Sequence, residues 1–304
     1  MVMSLQHGSP ALTACWDGTE LFRYVYLPSD PQLESPRPYF HPIRTMGGDL
    51  VSLYRPHDHV WHKGIAWSLP NVGPENFWGG TTYRRGDGYV QLDNDGAMRH
   101  EGFELAVGKD DLVRLDERLS WVTEAGQALI AENRRIGATA WPADSAWTLT
   151  FETTMTNVSG QRIRYGSPTT QGRDNAGYGG LFWRGPRSFT GGRVVTPDGA
   201  GGDELMGRRA QWLAFAGQHD GHGRWSTVIF RDAPQNFGHP SQWFVRCTPF
   251  ACLCPAPFFA AEYALATGTS LTLRYDVTVA DGELDAAGCA RLAGRAGEHD
   301  LLSA

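Results

Sequence analysis

The sequence predicts an all-β protein, a sandwich or barrel of many short antiparallel strands. Residues 147–156 alternate apolar and polar side chains over nearly their whole length, and residues 271–279 do the same. A period of two with one apolar face is typical of half-buried antiparallel strands. The chain also contains 37 Gly and 18 Pro with no repeating period, which indicates many turns. Only residues 284–296, rich in Ala, look helical, so we expect one short C-terminal helix.

Further strands are predicted wherever β-branched and aromatic residues lie between turn signals. In chain order the predicted strands cover residues 21–27, 88–92, 112–122, 127–138, 147–156, 162–165, 211–216, 225–231, 241–246 and 271–279. The stretch 166–210 is dense in Gly and Arg and has no regular pattern, which predicts loops. No internal repeat, charge block or flexible linker divides the chain. We therefore expect a single β-sandwich domain over residues 1–304.

The composition excludes several classes of partner. A net charge of −6 argues against nucleic acid, which requires a basic face on the protein. No apolar run approaches the roughly 18–20 residues of a membrane span, and no signal peptide is visible at the N-terminus. The five cysteines form no Cys-x-x-Cys pair and are interpreted as buried free thiols of a cytoplasmic protein. The oligomeric state stays open.

The most informative stretch is R-P-H-D-H-V-W-H-K-G-I-A-W, residues 55–67. It holds three of the ten histidines, an aspartate between the first two, and one of only two lysines in the chain. Imidazole, carboxylate and amine groups packed this densely among aromatic side chains are unusual in a purely structural segment. The segment therefore predicts a polar pocket with titratable groups.

One interpretation of this segment is acid–base chemistry without a cofactor. A histidine titrates near neutral pH, so His59 or His62 paired with Asp58 would serve as a general base or acid. Lys63 would then be a cation that stabilises developing negative charge. The alternative is a purely structural role, in which these side chains only stabilise a loop through hydrogen bonds.

The other interpretation is a divalent metal. His57 and His59 are two residues apart, so an extended backbone would point both imidazoles the same way, and His62 would be a third ligand if the chain turns after Val60. Nearby carboxylates that could complete such a site are Asp58, Glu75 and Glu101.

Candidate substrate-binding residues are aromatic or basic side chains in this region and farther along the chain. Flat apolar faces of sugars stack on aromatic rings, and a guanidinium group binds anions through its planar fork. Each tryptophan also has an ordinary interpretation as a core residue, and each arginine as half of a salt bridge. The candidates are His41, Arg44, Trp61, Trp78, His100, Arg184 and Trp243.

Several segments together resemble the PmoA-like family, a bacterial domain of unknown function. They are P-R-P-Y-F-H-P-I-R-T, D-H-V-W-H-K-G-I-A-W, E-N-F-W-G-G, Y-G-G-L-F-W-R, Q-W-F-V-R and L-T-L-R-Y-D-V-T-V-A-D-G, in this order. The resemblance extends over about residues 20–285. It implies a β-supersandwich of the galactose-mutarotase type.

The resemblance also bears on the site. The family motif D-H-x-x-H-R-G-L-W places Asp58, His59 and His62 at its polar positions, and Lys63 stands where Arg is common. His57 is less clearly part of the motif, which favours the acid–base interpretation over the metal. Family members often accompany sugar oxidoreductases and isomerases, which implies a small-molecule carbohydrate or glycoside as the ligand.

Three functional hypotheses follow. The first is a carbohydrate-active enzyme, a lyase, isomerase or hydrolase, whose His-based pocket acts on a sugar or keto-glycoside by elimination, epimerisation or glycosidic cleavage. A carbonyl acidifies the neighbouring C–H, so a base and a cation would suffice. The second is a non-catalytic carbohydrate-binding or accessory protein. The third is a metal-dependent oxygenase or hydrolase.

Overall fold

The computed structural model describes residues 2–109, 112–298 and 302, and most of these residues are in β-strands. In chain order the strands are β1 (Met3–His7), β2 (Ala11–Trp16), β3 (Thr19–Val25), β4 (Tyr39–Ile43), β5 (Ile65–Val72), β6 (Glu75–Phe77), β7 (Thr82–Arg84), β8 (Gly88–Val90), β9 (Ala97–Lys109), β10 (Leu112–Val122), β11 (Ala128–Trp141), β12 (Ala146–Asn157), β13 (Ile163–Gly166), β14 (Gly180–Arg184), β15 (Arg193–Thr196), β16 (Gly199–Gly201), β17 (Trp212–Gln218), β18 (Trp225–Asp232), β19 (Gln242–Arg246), β20 (Cys252–Ala256), β21 (Tyr263–Leu265) and β22 (Ser270–Asp281). The α-helix α1 covers Ala286–Glu298, and short 3₁₀ helices cover Gln32–Glu34, Pro142–Asp144, Arg187–Phe189 and Asp203–Leu205.

The strands form two large sheets. One has eleven strands, in the order β1-β2-β3-β4-β5-β14-β20-β19, with β6, β13 and β21 attached beside this path. The other has nine, in the order β16-β15-β17-β18-β22-β12-β11-β10-β9, and β7 with β8 forms a separate hairpin. Neighbouring strands in the two large sheets pair antiparallel.

The two sheets pack face to face and bury one large apolar core. Trp67 of the eleven-stranded sheet lies 6.1 Å, between ring centroids, from both Phe151 and Tyr275 of the nine-stranded sheet. Trp183 lies 5.3 Å from Phe215 in the same way, and all five rings are buried. The prediction of an all-β antiparallel β-supersandwich is therefore confirmed.

The C-terminal helix covers the outer face of the nine-stranded sheet. Its buried residues Cys289, Leu292 and Ala293 form a second apolar cluster with Trp212 and Ile229. The predicted helix over 284–296 is thus confirmed, and the observed helix begins and ends two residues later. Within the described ranges, no helix combines the length and apolar character that a membrane crossing requires.

The prediction of loops over 166–210 is wrong in part, because β14, β15 and β16 lie there. Strand β14 is buried on both faces, so its sequence has no alternation of apolar and polar residues. Leu181 and Trp183 point into the main core. Phe182 points to the opposite face of the sheet, where it joins a third apolar cluster, and Arg184 lies on that same face.

Candidate functional site

A cavity of about 460 Å³ lies on this outer face of the eleven-stranded sheet. Its volume is typical of small-molecule sites, which are mostly apolar with a few placed polar groups. The aromatic walls are formed by Trp61, Trp78, Tyr178, Phe182, Phe244 and Phe250. The cavity is therefore suited to a ligand with flat apolar faces.

The histidine loop reaches this cavity through two successive tight turns. The His59 amide donates to the Pro56 carbonyl and the His62 amide to the His59 carbonyl, each at 3.0 Å. The Arg55 amide closes the loop on the His62 carbonyl at 2.9 Å. Residues three apart in such turns point the same way. His59 and His62 consequently stack, with ring centroids 4.7 Å apart and planes at 9°.

His62 is held as a neutral hydrogen-bond donor. Its Nδ1 lies 3.0 Å from Nη1 of Arg184. Because a guanidinium group only donates, Nδ1 must accept, and the proton of the neutral ring is on Nε2. Burial lowers the pKa of His62 well below its usual value near 6.5, and the neighbouring His59 and Arg184 lower it further. His62 therefore stays uncharged at neutral pH.

In His59 the ring proton is on Nδ1, whereas in His62 it is on Nε2. Its Nδ1 lies 3.0 Å from Oδ2 of Asp58. Burial raises the pKa of Asp58, but hydrogen bonds from Arg184 and His59 outweigh it and lower the pKa below its usual range. The ionised carboxylate only accepts, so Nδ1 of His59 carries the proton and Nε2 of the neutral ring has a free lone pair. His59 lines the cavity, so it is placed to act as a base there.

Arg184 connects the two histidines. Its Nη2 donates to Oδ2 of Asp58 at 2.8 Å, while its Nη1 binds His62. The guanidinium carbon lies 3.8 Å from the centre of the Phe250 ring, and the side chain is 1% exposed. The other carboxylate oxygen of Asp58 accepts from Arg187, which is 52% exposed. One buried cation thus sets the orientation of an acceptor imidazole and a donor imidazole side by side.

The structure does not bring the three histidines to one point. Nδ1 of His57 accepts from Arg187 at 3.0 Å, outside the residues that line the cavity, and Nδ1 of His62 is occupied by Arg184. Among the described residues, no group of three or more His, Cys, Asp or Glu side chains is placed to hold a metal ion. The chain turns so that only His59 and His62 share a side, which is why the two-residue spacing of His57 and His59 does not converge.

Lys63 lies away from the cavity, contrary to its suggested role as the catalytic cation. Its side chain is 1% exposed, and its ammonium group binds Glu34 and, at 2.9 Å, Oδ1 of Asp30. Glu34 also accepts from Arg55. The lysine follows a buried histidine on a strand-like segment and so points to the opposite side. Its ion pairs fix the base of the histidine loop, and Arg184 is the buried cation at the site.

Three other candidates have partners elsewhere in the fold. His41 is paired through Nδ1 with the hydroxyl of Ser52 at 2.8 Å, and Arg44 donates to a backbone carbonyl at 3.2 Å. His100 lies on β9 with its Nδ1 2.6 Å from Oε1 of Glu117. None of the three lines the cavity.

His41 gives a testable pH dependence of stability. Burial, followed by the charges of Arg44 and Arg23, lowers its pKa to about 4. An unfolded histidine binds a proton near pH 6.5, so between pH 6.5 and about 4 the unfolded chain binds more protons and the free energy of unfolding falls as the pH falls. We expect His41→Gln to flatten this slope by up to ~1.4 kcal/mol per pH unit, measured by urea unfolding at pH 6.5, 5.5 and 4.5. Equal slopes for both proteins would contradict a neutral, half-buried His41.

Trp243 is one residue from the cavity. Its ring is fully buried in the main core, and its Nε1 donates to the Ala210 carbonyl at 2.9 Å. Its neighbours Phe244 and Arg246 line the cavity from the other face of β19. The sequence interpretation also missed Tyr89, Tyr178, Phe182 and Phe250. The available signal was the two-residue spacing of Phe182 and Arg184 and of Phe244 and Arg246.

Trp61 and Trp78, both among the predicted substrate-binding residues, line the cavity. Trp61 packs directly on the backbone of the Gly79–Gly80 pair, since a Cβ on Gly80 would lie 2.7–2.8 Å from three carbons of the indole ring. Gly80 also has φ of +68°, which disfavours any residue with a side chain. The two glycines of E-N-F-W-G-G are therefore needed to seat one wall of the cavity.

Gly80→Ala is expected to destabilise the protein and to move Trp61. The strained φ costs about 1 kcal/mol and the overlap with the ring about 1–3 kcal/mol more. Gly86→Ala is the matched control, because Gly86 has φ of +89° with no atom within 4 Å of the added Cβ. Thermal unfolding and tryptophan fluorescence of both variants separate the two effects. Equal destabilisation by both substitutions would contradict the contact between Trp61 and Gly80.

The fold and the site together define a class: an antiparallel β-supersandwich with an aromatic ligand cavity on the outer face of one sheet and two oriented histidines in its wall. The chain belongs to a family of unknown function, DUF6807, whose family model matches residues 11–294. The resemblance to the PmoA-like family is therefore not supported.

No match was found among curated protein sequences. Solved structures with a similar fold include a GH36 α-galactosidase from Geobacillus stearothermophilus in complex with 1-deoxygalactonojirimycin, with a TM-score of 0.39, 10% identity and coverage of 98% of this chain and 42% of the other. The galactosidase domain of an α-galactosidase–sucrose kinase has a TM-score of 0.43 and 10% identity over 92% of this chain and 42% of the other. An α-galactosidase from Lactobacillus brevis has a TM-score of 0.37 and 8% identity over 92% and 39%. The chain spans about two fifths of the length of these structures, and similarity at this level carries no argument about activity.

Proposed function

We propose that this protein is an enzyme that abstracts a proton from a keto-sugar or keto-glycoside bound in the aromatic cavity, leading to elimination or epimerisation. The observation that carries the proposal is the stacked pair of His59 and His62, one with a free Nε2 lone pair and the other with an Nε2–H donor. A proton acceptor beside a neutral hydrogen-bond donor is what removal of a proton next to a carbonyl requires.

In the proposed reaction, Nε2 of His59 takes the proton from the carbon next to the substrate carbonyl. The electron pair of that C–H bond moves into a C=C bond, and the carbonyl oxygen becomes an enolate stabilised by the Nε2–H of His62. Asp58 stabilises the imidazolium form of His59 through the hydrogen bond to Nδ1. In elimination the enolate collapses, the β C–O bond breaks, and the leaving oxygen takes the proton from His59. In epimerisation a water molecule gives a proton to the opposite face of the carbon, and His59 returns its proton to the hydroxide that remains.

The wall of the cavity favours this chemistry over ordinary glycosidic hydrolysis. Hydrolysis commonly uses two carboxyl groups on either side of the scissile bond. Among the described residues that line the cavity there is no Asp or Glu. The nearest carboxylate in the network, that of Asp58, accepts from two arginines and His59.

Deuterium exchange tests the proposal directly. The protein is incubated in D₂O with 3-keto-glycosides of gluco, galacto and manno configuration, and the products are followed by NMR. We expect deuterium at the carbon next to the carbonyl, or an unsaturated product, and no change in the matching unoxidised glycosides. Cleavage of the unoxidised glycosides, or no exchange and no product in the whole panel, would contradict the proposal.

The aromatic walls also fit a second candidate, a carbohydrate-binding protein without catalysis. Seven aromatic side chains line the cavity, the six named above and Tyr89, and they would stack on sugar faces whether or not a reaction follows. Tight sugar binding without turnover, unchanged by His59→Ala, would favour this candidate. Turnover that depends on His59 would exclude it.

We also propose a cytoplasmic location. All five cysteines lie among the described residues as buried free thiols. Free buried thiols are usual in a reducing compartment. Localisation of the tagged full-length protein by cell fractionation tests this, and recovery outside the cytoplasm would contradict it.

A further inference from the structure

The polar groups of the cavity are unbalanced in both charge and hydrogen bonding. Besides the two histidines, the polar side chains that line it are Thr81, Tyr89, Arg173, Tyr178 and Arg246. Among the described lining residues there is no Asp, Glu, Asn or Gln. The cavity therefore holds two guanidinium groups without a carboxylate on its wall, in a chain whose net charge is −6.

Neither arginine is neutralised by an ion pair in the described part of the chain. Arg246 forms no ion pair with a described carboxylate, and its guanidinium carbon lies 5.5 Å from the centre of the Phe244 ring. Arg173 donates to the hydroxyl of Tyr89 and stacks at 4.9 Å on the same ring. Arg184, in contrast, is paired with Asp58. Two uncompensated positive charges thus face the ligand.

A neutral sugar matches the hydrogen-bond donors and acceptors of this cavity poorly. Each sugar hydroxyl has one proton to donate and needs an acceptor, and sugar sites commonly supply carboxylates or amides for this purpose. Here the side-chain acceptors are Nε2 of His59 and three hydroxyls, of which those of Tyr89 and Tyr178 already contact each other at 3.0 Å and that of Tyr89 also accepts from Arg173. Arginine offers donors only. A ligand that presents several acceptors and a negative charge would satisfy the cavity.

We propose that the substrate is an acidic sugar, whose oxyanion, a carboxylate or a phosphate ester, binds to Arg246 and Arg173 while the reacting carbon faces His59. Guanidinium groups bind both oxyanions through two parallel hydrogen bonds. The aromatic surroundings exclude water from part of the contact, which strengthens the attraction. This inference rests on the proposed function for the position of the reacting carbon, but the charge preference can be tested by binding alone.

The test measures binding of paired sugars by quenching of tryptophan fluorescence at low salt. The pairs are glucuronate, galacturonate and mannuronate, and the corresponding sugar 6-phosphates, each against the neutral methyl glycoside. We expect the best acidic sugar to bind at least about tenfold more tightly than its neutral partner, and the preference to shrink as salt is added. Preference for the uronates identifies a carboxylate, and preference for the 6-phosphates identifies a phosphate ester.

Two variants complete the design. Arg246→Met is expected to reduce the preference to less than about threefold while binding of the neutral sugar changes little. Arg118→Met, at a 58% exposed arginine on β10 in the other sheet, removes the same charge and is expected to keep the preference. Equal binding of acidic and neutral sugars, or an unchanged preference in Arg246→Met, would overturn the inference.

The outcomes separate this inference from the proposed function. Deuterium exchange on keto-glycosides without any charge preference would overturn the inference and leave the proposed function standing. A charge preference without exchange or turnover would overturn the proposed function and leave the preference for an acidic sugar standing. If no sugar of either kind binds, both are overturned.

Discussion

Replacement of His59 by glutamine is expected to lower the rate of substrate proton abstraction by about 10²–10⁴-fold. Glutamine retains an N–H group that can donate to Asp58, but it has no nitrogen lone pair that accepts a proton at neutral pH. The side chain of His59 is 36% exposed, so the free energy of unfolding should change by less than about 1 kcal/mol. Deuterium exchange rates at saturating keto-glycoside, with urea unfolding alongside, measure both effects.

His57→Gln is the matched control for this variant. It changes the same residue type two positions earlier in the same loop, at a side chain that contacts Arg187 outside the cavity lining. Its rate should remain within about threefold of the unmodified protein. Retention of more than roughly a tenth of the rate by His59→Gln would exclude His59 as the base, since general bases contribute far more.

Replacement of Arg184 by methionine is expected to cost roughly 2–4 kcal/mol in the free energy of unfolding and to abolish turnover. Methionine fills much of the same space but donates no hydrogen bond. The substitution therefore leaves Asp58 without its buried cation and Nδ1 of His62 without a donor. With both histidines free to rotate or change tautomer, the acceptor and donor would no longer face the ligand together.

Arg187→Met separates this effect from the simple loss of a positive charge near Asp58. Both arginines donate to the same carboxylate, but Arg187 is 52% exposed and Arg184 is 1% exposed. Exposed ion pairs contribute about 0–1 kcal/mol, so the control should unfold almost as the unmodified protein does. Similar losses from the two substitutions would contradict the view that Arg184 is the buried connection of the site.

Much of the fold could be predicted from strands with one buried face. The alternation over 147–156 predicted β12 to within one residue at each end, and residues 112–122 correspond to β10. Strand β14 could not be predicted in this way, because both of its faces are buried and its apolar run has no period.

The lack of periodicity in strands buried on both faces also explains which site residues were missed. In β19, apolar residues occupy both faces, so the sequence does not distinguish Trp243, in the core, from Phe244, in the cavity. Only the pairing of strands in the folded sheet decides which face meets the ligand. A shift of one residue moves a side chain to the other face.

Within the histidine loop, the segment was identified but the roles were not. Asp58, His59 and His62 meet as a network, whereas Lys63 is buried in ion pairs with Asp30 and Glu34. Asp58, the partner of His59, is adjacent and was predicted, but the partners of His62 and Lys63 come from more than 20 positions away, so spacing within the loop cannot identify them.

His59 and His62 should carry their ring protons on opposite nitrogens, and NMR of the ring nitrogens measures this directly. In ¹⁵N-histidine-labelled protein at pH 7.5, with His59→Gln and His62→Gln used to assign the signals, we expect His59 to carry its proton on Nδ1 and His62 on Nε2. His62 should also remain neutral when the pH is lowered to 5.5, because its pKa is lowered by burial and by nearby positive charges. A His62 ring protonated on Nδ1, or charged at pH 5.5, would contradict the account.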